Sequence, residues 1–134
     1  MGGVDRVISV GPADIARDFA LTHRSLLQEP KGNGYWLWKP YFIHRTLLEL
    51  PENEWLFYCD AGSYFVSSIR PLLAVAASSG DDLMTFADAH TEVKFTKRDV
   101  FVALGADTAA HRNTPQRLGG FSLWKNTPQA RSFA

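Results

Sequence analysis

Asp60 is the residue in this chain best placed to do chemistry. It ends a five-residue apolar run, Trp55-Leu56-Phe57-Tyr58-Cys59, and is followed by Ala61 and Gly62. The run lacks the alternation of a strand with one wet face. It therefore reads as a strand covered on both sides, as in a parallel sheet packed between helices. In open α/β sheets, ligands bind in the crevice outside the carboxyl ends of such strands. A carboxylate there, with two small residues behind it, suits a divalent cation carried in with phosphates. Magnesium is commonly held by one or two protein carboxylates plus substrate oxygens. A turn or cap role would account for an aspartate in this place as well.

Three other clusters have chemical potential. Gly34-Tyr35-Trp36-Leu37-Trp38-Lys39-Pro40-Tyr41 gathers two indoles and two phenols around one lysine. Trp36 and Trp38 suit a core plug under the sheet, because large aromatics dominate core burial. They equally suit a sugar or nucleobase platform with Lys39 facing a phosphate. Asp88, His90 and Glu92 follow the apolar run Leu83-Met84-Thr85-Phe86-Ala87 at a spacing of two. An extended backbone would point all three to one side, which permits an acid/base or metal cluster and fits a polar strand edge equally well. Lys97 and Arg98 stand in a predicted first helical turn, where two cations oppose the helix dipole unless an anion faces them. Asp81 and Asp82 read as turn residues, with a metal pair as the alternative.

The elements that must position these residues can be read from periodicity. Val4, Val7, Ile8 and Val10 before Gly11-Pro12 predict a first strand. From Ala13 to about Gln28, Ile15, Phe19, Thr22 and Leu26 form the stripe of an amphipathic helix. Gly32, Asn33 and Gly34 allow positive φ in the loop that follows. Pro40 suits the first turn of a helix buried through Phe42, Ile43, Thr46, Leu47 and Leu50, with the aromatics extended before it. A helix after Ser67-Ser68 faces inwards with Ile69, Leu72, Leu73 and Ala76 and closes at Ser79-Gly80. Thr96 as cap and Asp99 three residues on predict a helix through Val100, Phe101 and Leu104. Leu118–Asn126 reads as a last strand.

The order strand, helix, helix, strand, helix, strand, helix, strand predicts an α/β fold. It would be a mostly parallel central sheet with helices on both faces, in one domain over residues 1–134. Fourteen basic and fourteen acidic residues give a net charge of zero, so no global field favours nucleic acid or an anionic membrane. A single cysteine, Cys59, excludes an internal disulfide and a cysteine-rich zinc site. No apolar stretch reaches the length of a membrane span and the N-terminus has no signal-peptide pattern, so the expected location is cytoplasmic.

Taken together, Gly34–Tyr41, Leu56–Gly62, His90-Thr91-Glu92 and Phe95–Phe101 resemble a family of bacterial and viral glycosyltransferase-like proteins. Gln116 and Phe121–Asn126 look like that family's later strand. The resemblance implies the GT-A fold of nucleotide-diphospho-sugar transferases, a Rossmann-like three-layer sandwich, here as its core with both ends missing. It implies a nucleotide-sugar donor and a carbohydrate or other hydroxyl acceptor as partners. Asp60-Ala61-Gly62 would stand where GT-A enzymes carry Asp-x-Asp, with Asp60 holding Mn2+ or Mg2+ as the Lewis acid for the departing diphosphate. The second acid of that motif is Gly62 here. Trp36, Trp38, Lys39, Gly62, Lys97, Arg98 and Gln116 would bind substrate, and His90 or Glu92 would orient or deprotonate the acceptor. A non-catalytic nucleotide-sugar or carbohydrate-binding module is the alternative, as is an inactive relative or a homo-oligomer that completes its site through a second copy.

Overall fold

The computed structural model describes residues 2–134. At its centre is a three-stranded sheet in the order β1-β3-β2, built from β1 (Trp55–Cys59), β2 (Leu83–Thr91) and β3 (Pro115–Lys125). Both outer strands pair antiparallel with β3. The expected mostly parallel sheet, and with it the GT-A-like sandwich, is therefore corrected. The physical reason lies in where β3 enters. β1 and β2 do run in the same direction, because each is antiparallel to the same neighbour, but β3 returns between them instead of beside them. An apolar run specifies burial; it does not specify a strand's neighbour or direction.

The register is set by the apolar positions of the three strands. Phe57 and Met84 both lie opposite Leu123, and Leu56 and Leu83 both lie opposite Trp124. Leu123 and Trp124 point to opposite faces by the strand period, yet both are buried, so this end of the sheet is covered on both sides. Towards its other end β2 slips register between Thr85 and Ala87 and again before Thr91.

Among the helices, α1 (Arg17–Thr22) and α2 (Arg24–Leu27) replace the single helix expected from Ala13 to Gln28. The chain breaks at His23, whose backbone (φ −107°, ψ 21°) is not helical. Phe19 stacks on both His23 and Tyr41, at 4.4 Å and 4.2 Å between ring centroids. The first strand expected over Val4–Val10 does not form: these residues join no ladder and Val7 is 75% exposed. Val4, Ile8 and Val10 would share one face of an extended segment, but no strand pairs with it and all three stay exposed.

The long helix α3 (Trp38–Glu49) buries Phe42, Ile43 and Leu47, as its stripe predicts. Pro40 falls in its first turn, where the missing N–H would have had no intrahelical partner. α4 (Arg70–Ser79) connects the β1 side to β2 and ends on Gly80 in the left-handed region (φ 78°), the expected stop. α5 (Arg98–Ala103) and α6 (Ala109–Arg112) lie between β2 and β3. The last helix, α7 (Pro128–Phe133), is capped by Thr127, whose hydroxyl accepts from the Ala130 amide at 3.1 Å. Ile43 and Leu47 of α3, Trp124 of β3 and Ala130 of α7 form the core, with Leu56, Tyr58 and Leu83 against it. Among the described residues no helix is long and apolar enough to cross a membrane.

One buried polar residue ties these elements together. Asn126 is 2% exposed, and its amide donates to the carbonyls of Leu50 at 2.6 Å and Pro51 at 3.2 Å while Arg131 of α7 donates to its oxygen at 2.8 Å. Its main chain exchanges hydrogen bonds with Asn53 and Glu54. The end of α3, the start of β1, the end of β3 and α7 all meet there. Asn126→Ala removes an almost fully buried amide that satisfies the Leu50 and Pro51 carbonyls and accepts from Arg131, and a polar group left without its partner costs about 1–3 kcal/mol. Urea denaturation of the variant is expected to show a loss of at least about 2 kcal/mol with an unchanged slope; a loss under about 0.5 kcal/mol would refute the clamp.

Candidate functional site

The aromatic run enters α3 through a tight left-handed turn, not the extended segment expected of it. Gly32, Asn33, Gly34, Tyr35 and Trp36 all have positive φ, between 49° and 90°. Three of these carry side chains, and each L-residue held in that region costs about 1–2 kcal/mol. The turn is held from outside: the Gly34 amide donates to Glu29 O at 2.8 Å, the Tyr35 amide to Lys31 O at 2.8 Å, and the Trp38 indole to Gly32 O at 3.1 Å. Gly34 is fixed by sterics as well as by φ, because a Cβ there would lie 2.7 Å from the Leu27 backbone. The turn leaves Trp36 44% exposed and Trp38 half-buried, so the pair is not a core plug.

Lys39 follows in the first turn of α3 and reaches the end of β1. Its ammonium lies 2.9 Å from each oxygen of Asp60 and donates to Gly119 O at 3.0 Å. Lys39 is also flanked by aromatic rings, 5.6 Å from the Trp38 centroid and 5.9 Å from that of Tyr58, within the range of a cation–π attraction. The Tyr58 hydroxyl donates to Asp60 Oδ1 at 2.5 Å. Tyr58 and Asp60 are two apart on an extended segment and so share a face. The Asp60 amide in turn donates to Gly120 O at 2.8 Å, which extends the β1–β3 ladder by one residue.

Element lengths explain the meeting. From Glu49 back to Lys39 the helix climbs roughly 15 Å at 1.5 Å per residue. From Trp55 to Asp60 the strand covers roughly 17 Å at 3.3 Å per residue. A turn at Pro51–Glu54 reverses the chain between them, so the first turn of α3 and the end of β1 arrive at one level. Beside this network a cavity of about 280 Å³ is lined by Lys39, Ile43, Tyr58, Thr85, Ser122 and Trp124, among others. A second cavity of about 330 Å³, lined by Asp81, Asp82 and Phe133 among others, lies away from Asp60. In it Asp82 is committed to structure, accepting from the Thr127 hydroxyl at 2.6 Å.

The remaining residues singled out from the sequence lie elsewhere. Glu92 leaves the strand alignment, and its carboxylate accepts from the Thr96 hydroxyl at 3.0 Å and the Arg117 amide at 2.9 Å. Arg117 lies four residues before Phe121, the partner of Cys59, roughly 13 Å along an extended strand. His90 sits against Lys94 at 3.2 Å and the Phe95 ring. Thr96 does not cap α5: the N-cap is Lys97, with no side-chain cap bond. Arg98 faces an anion supplied by the protein, Asp107, at 2.9 Å. Gln116 is half-buried on β3, and Gly62 is exposed with open space where a Cβ would stand. The structure thus brings Trp38, Lys39 and Asp60 together, and it does not bond His90, Glu92, Lys97, Arg98 or Gln116 to them. Tyr58 and the Gly119 carbonyl are members that sequence reasoning missed. The strand period alone pointed to Tyr58.

Asp60 can be tested as a metal ligand on its donor set. A carboxylate offers about four lone-pair sites, and here one oxygen takes Tyr58 while both face the Lys39 ammonium. No group of three His, Cys, Asp or Glu side chains forms among the described residues. The place of an ion chelated by Asp60 is the place Lys39 holds, and the residues present do not fit a divalent cation there. No protein-family model, curated protein or solved structure matches the chain.

Burial, and then the hydrogen bond to Asp60, pushes the Tyr58 phenol well above its ordinary value near 10. Burial and then the Asp60 charge also push the Cys59 thiol up, which keeps it protonated and unreactive near neutral pH. For Tyr58 the folded state favours the neutral form. Its contribution to stability is therefore complete below about pH 10 and is lost as pH rises through the folded value. A tyrosinate absorbance titration of the wild type, minus that of Tyr58→Phe, isolates this phenol. It is expected to ionise later than about pH 10, and to move back towards that value in Asp60→Asn; ionisation at the ordinary value in the wild type would refute the Tyr58–Asp60 bond.

Proposed function

We propose that this chain binds a nucleotide-diphospho-sugar at the end of β1 and belongs to machinery that transfers the sugar to a hydroxyl acceptor. One observation carries the reading. The two stretches on which the glycosyltransferase resemblance chiefly rests, Gly34–Tyr41 and Leu56–Gly62, are separate in sequence and meet in space through Lys39 and Asp60. A neighbouring ammonium and carboxylate form a donor–acceptor pair that matches sugar hydroxyls, and the rings of Trp38 and Tyr58 supply apolar surface beside them. The exposed Gly62 leaves the backbone approachable from solvent.

A second reading, binding without turnover, is favoured by Glu92. Its carboxylate is spent on the Thr96 hydroxyl and the Arg117 amide, so the base assigned to the acceptor is engaged in structure. His90 likewise makes no bond to the Lys39–Asp60 network.

Calorimetric titration with uridine, guanosine and cytidine diphosphate sugars tests both readings. Binding of at least one donor is expected, weakened by at least about tenfold, or 1.4 kcal/mol, in Asp60→Asn. Release of the nucleoside diphosphate in the presence of hydroxyl acceptors would identify the transferase, and binding without release the module. A folded protein that binds none of the panel would overturn both.

A further inference from the structure

We infer that Lys39, and not a divalent ion, is the resident positive charge at the end of β1, so that ligand binding there is independent of metal. The inference rests on the sugar-nucleotide reading for its ligand and on the geometry of Lys39 for its content. An ammonium 2.9 Å from both oxygens of Asp60 sits on the face of the carboxylate that would chelate an ion. A magnesium ion at its usual 2.0–2.1 Å from either oxygen would be pressed against a like charge.

Lys39 has little freedom to leave that position. Its side chain is 16% exposed and the Asp60 side chain 40% exposed, so the pair is half-buried with the lysine on the inner side. The ammonium is also bonded to Gly119 O and lies near the rings of Trp38 and Tyr58. Its backbone is set in the first turn of α3, ahead of the buried Phe42 and Ile43. Displacing it would leave the Gly119 carbonyl without its donor and forfeit the attraction of the rings for the ammonium.

The second acid that would help an ion compete is absent. Gly62 stands two residues on, and Tyr58, the other group at Asp60, is a phenol held protonated by burial. A site with one carboxylate, one phenol and one ammonium has a cation already built into it. Lys39 is then the group that decides which ligands bind: it offers N–H donors to oxygen-rich ligands and repels free divalent ions.

Two titrations test this. Manganese alone is titrated into the wild type and Asp60→Asn, followed by the electron paramagnetic resonance signal of free Mn2+. No Asp60-dependent binding is expected up to millimolar Mn2+; binding abolished by Asp60→Asn would overturn the inference. The same sugar-nucleotide panel is then titrated in EDTA and in manganese. Affinities equal within about twofold are expected, with at least about tenfold loss in Lys39→Met and most of the affinity kept in Lys39→Arg. Circular dichroism confirms that each variant is folded. Sugar-nucleotide binding that requires manganese would overturn the inference and leave the proposed function standing. Binding in neither condition would overturn the proposed function, while the manganese arm would still decide the inference.

Discussion

A lysine ammonium that has lost most of its water must be given acceptors by the protein, and that requirement organises one end of this fold. Lys39 takes Asp60 from β1 and Gly119 from β3, so a single charge joins the first turn of α3 to two strands. Such a pair adds little net stability over a well-packed apolar substitute, because desolvation offsets much of the attraction. It is nonetheless costly to break from one side, since the remaining charge is stranded. The pair therefore acts mainly on geometry. It fixes where the strand ends relative to the helix and which way the Asp60 carboxylate faces.

The pair can form only because the opposite end is clamped. Asn126 draws the Leu50 and Pro51 carbonyls, the Asn53–Glu54 main chain and α7 to one point. With that end fixed, a helix and a strand of nearly equal length deliver Lys39 and Asp60 to each other some 15–17 Å away. Leu47, fully buried near the C-terminal end of α3, keeps the two elements packed between the clamps together with Ile43, Trp124 and Ala130. A core residue, a buried amide and an ion pair thus divide the work: packing sets separation, the amide sets register, and the charge sets the outer end.

What the sequence made legible follows from which signals are local. The apolar run Trp55–Cys59, the stripe Phe42, Ile43 and Leu47, and the Gly80 stop are each determined by a few neighbouring residues, and each forms its element, although β1 is a half-buried antiparallel edge strand and Thr46 and Leu50 of the expected stripe are only half-buried. The parallel sheet was misread because strand direction depends on where a distant segment, Pro115–Lys125, enters. Val4, Ile8 and Val10 share a strand face, but a strand also needs a distant partner, which local apolar content does not specify. The spacing of Asp88, His90 and Glu92 permits an acid/base cluster or a polar strand edge, and the resemblance gives Glu92 an acceptor role, but the strand ends at Thr91 and the carboxylate turns to Thr96 and Arg117. Lys39 and Asp60 were each singled out alone. Their partnership was not visible, since nothing in either stretch encodes the 21-residue reach between them.

The same partnership limits what Asp60 can do for a ligand. The ammonium has three N–H bonds, and in the free protein it donates to Asp60 Oδ2 and to Gly119 O while lying close to Asp60 Oδ1. An arriving phosphate or hydroxyl that replaces one of these acceptors gains only the difference between two hydrogen bonds. Gly119 is the weaker competitor, being neutral, whereas Asp60 carries a charge. A ligand oxygen that replaces Gly119 leaves the ion pair intact and keeps the carboxylate available to accept from a neighbouring hydroxyl. Asp60 then serves as a fixed acceptor beside a fixed donor, and a ligand with two adjacent oxygens, one accepting and one donating, is the one this arrangement favours over a simple anion.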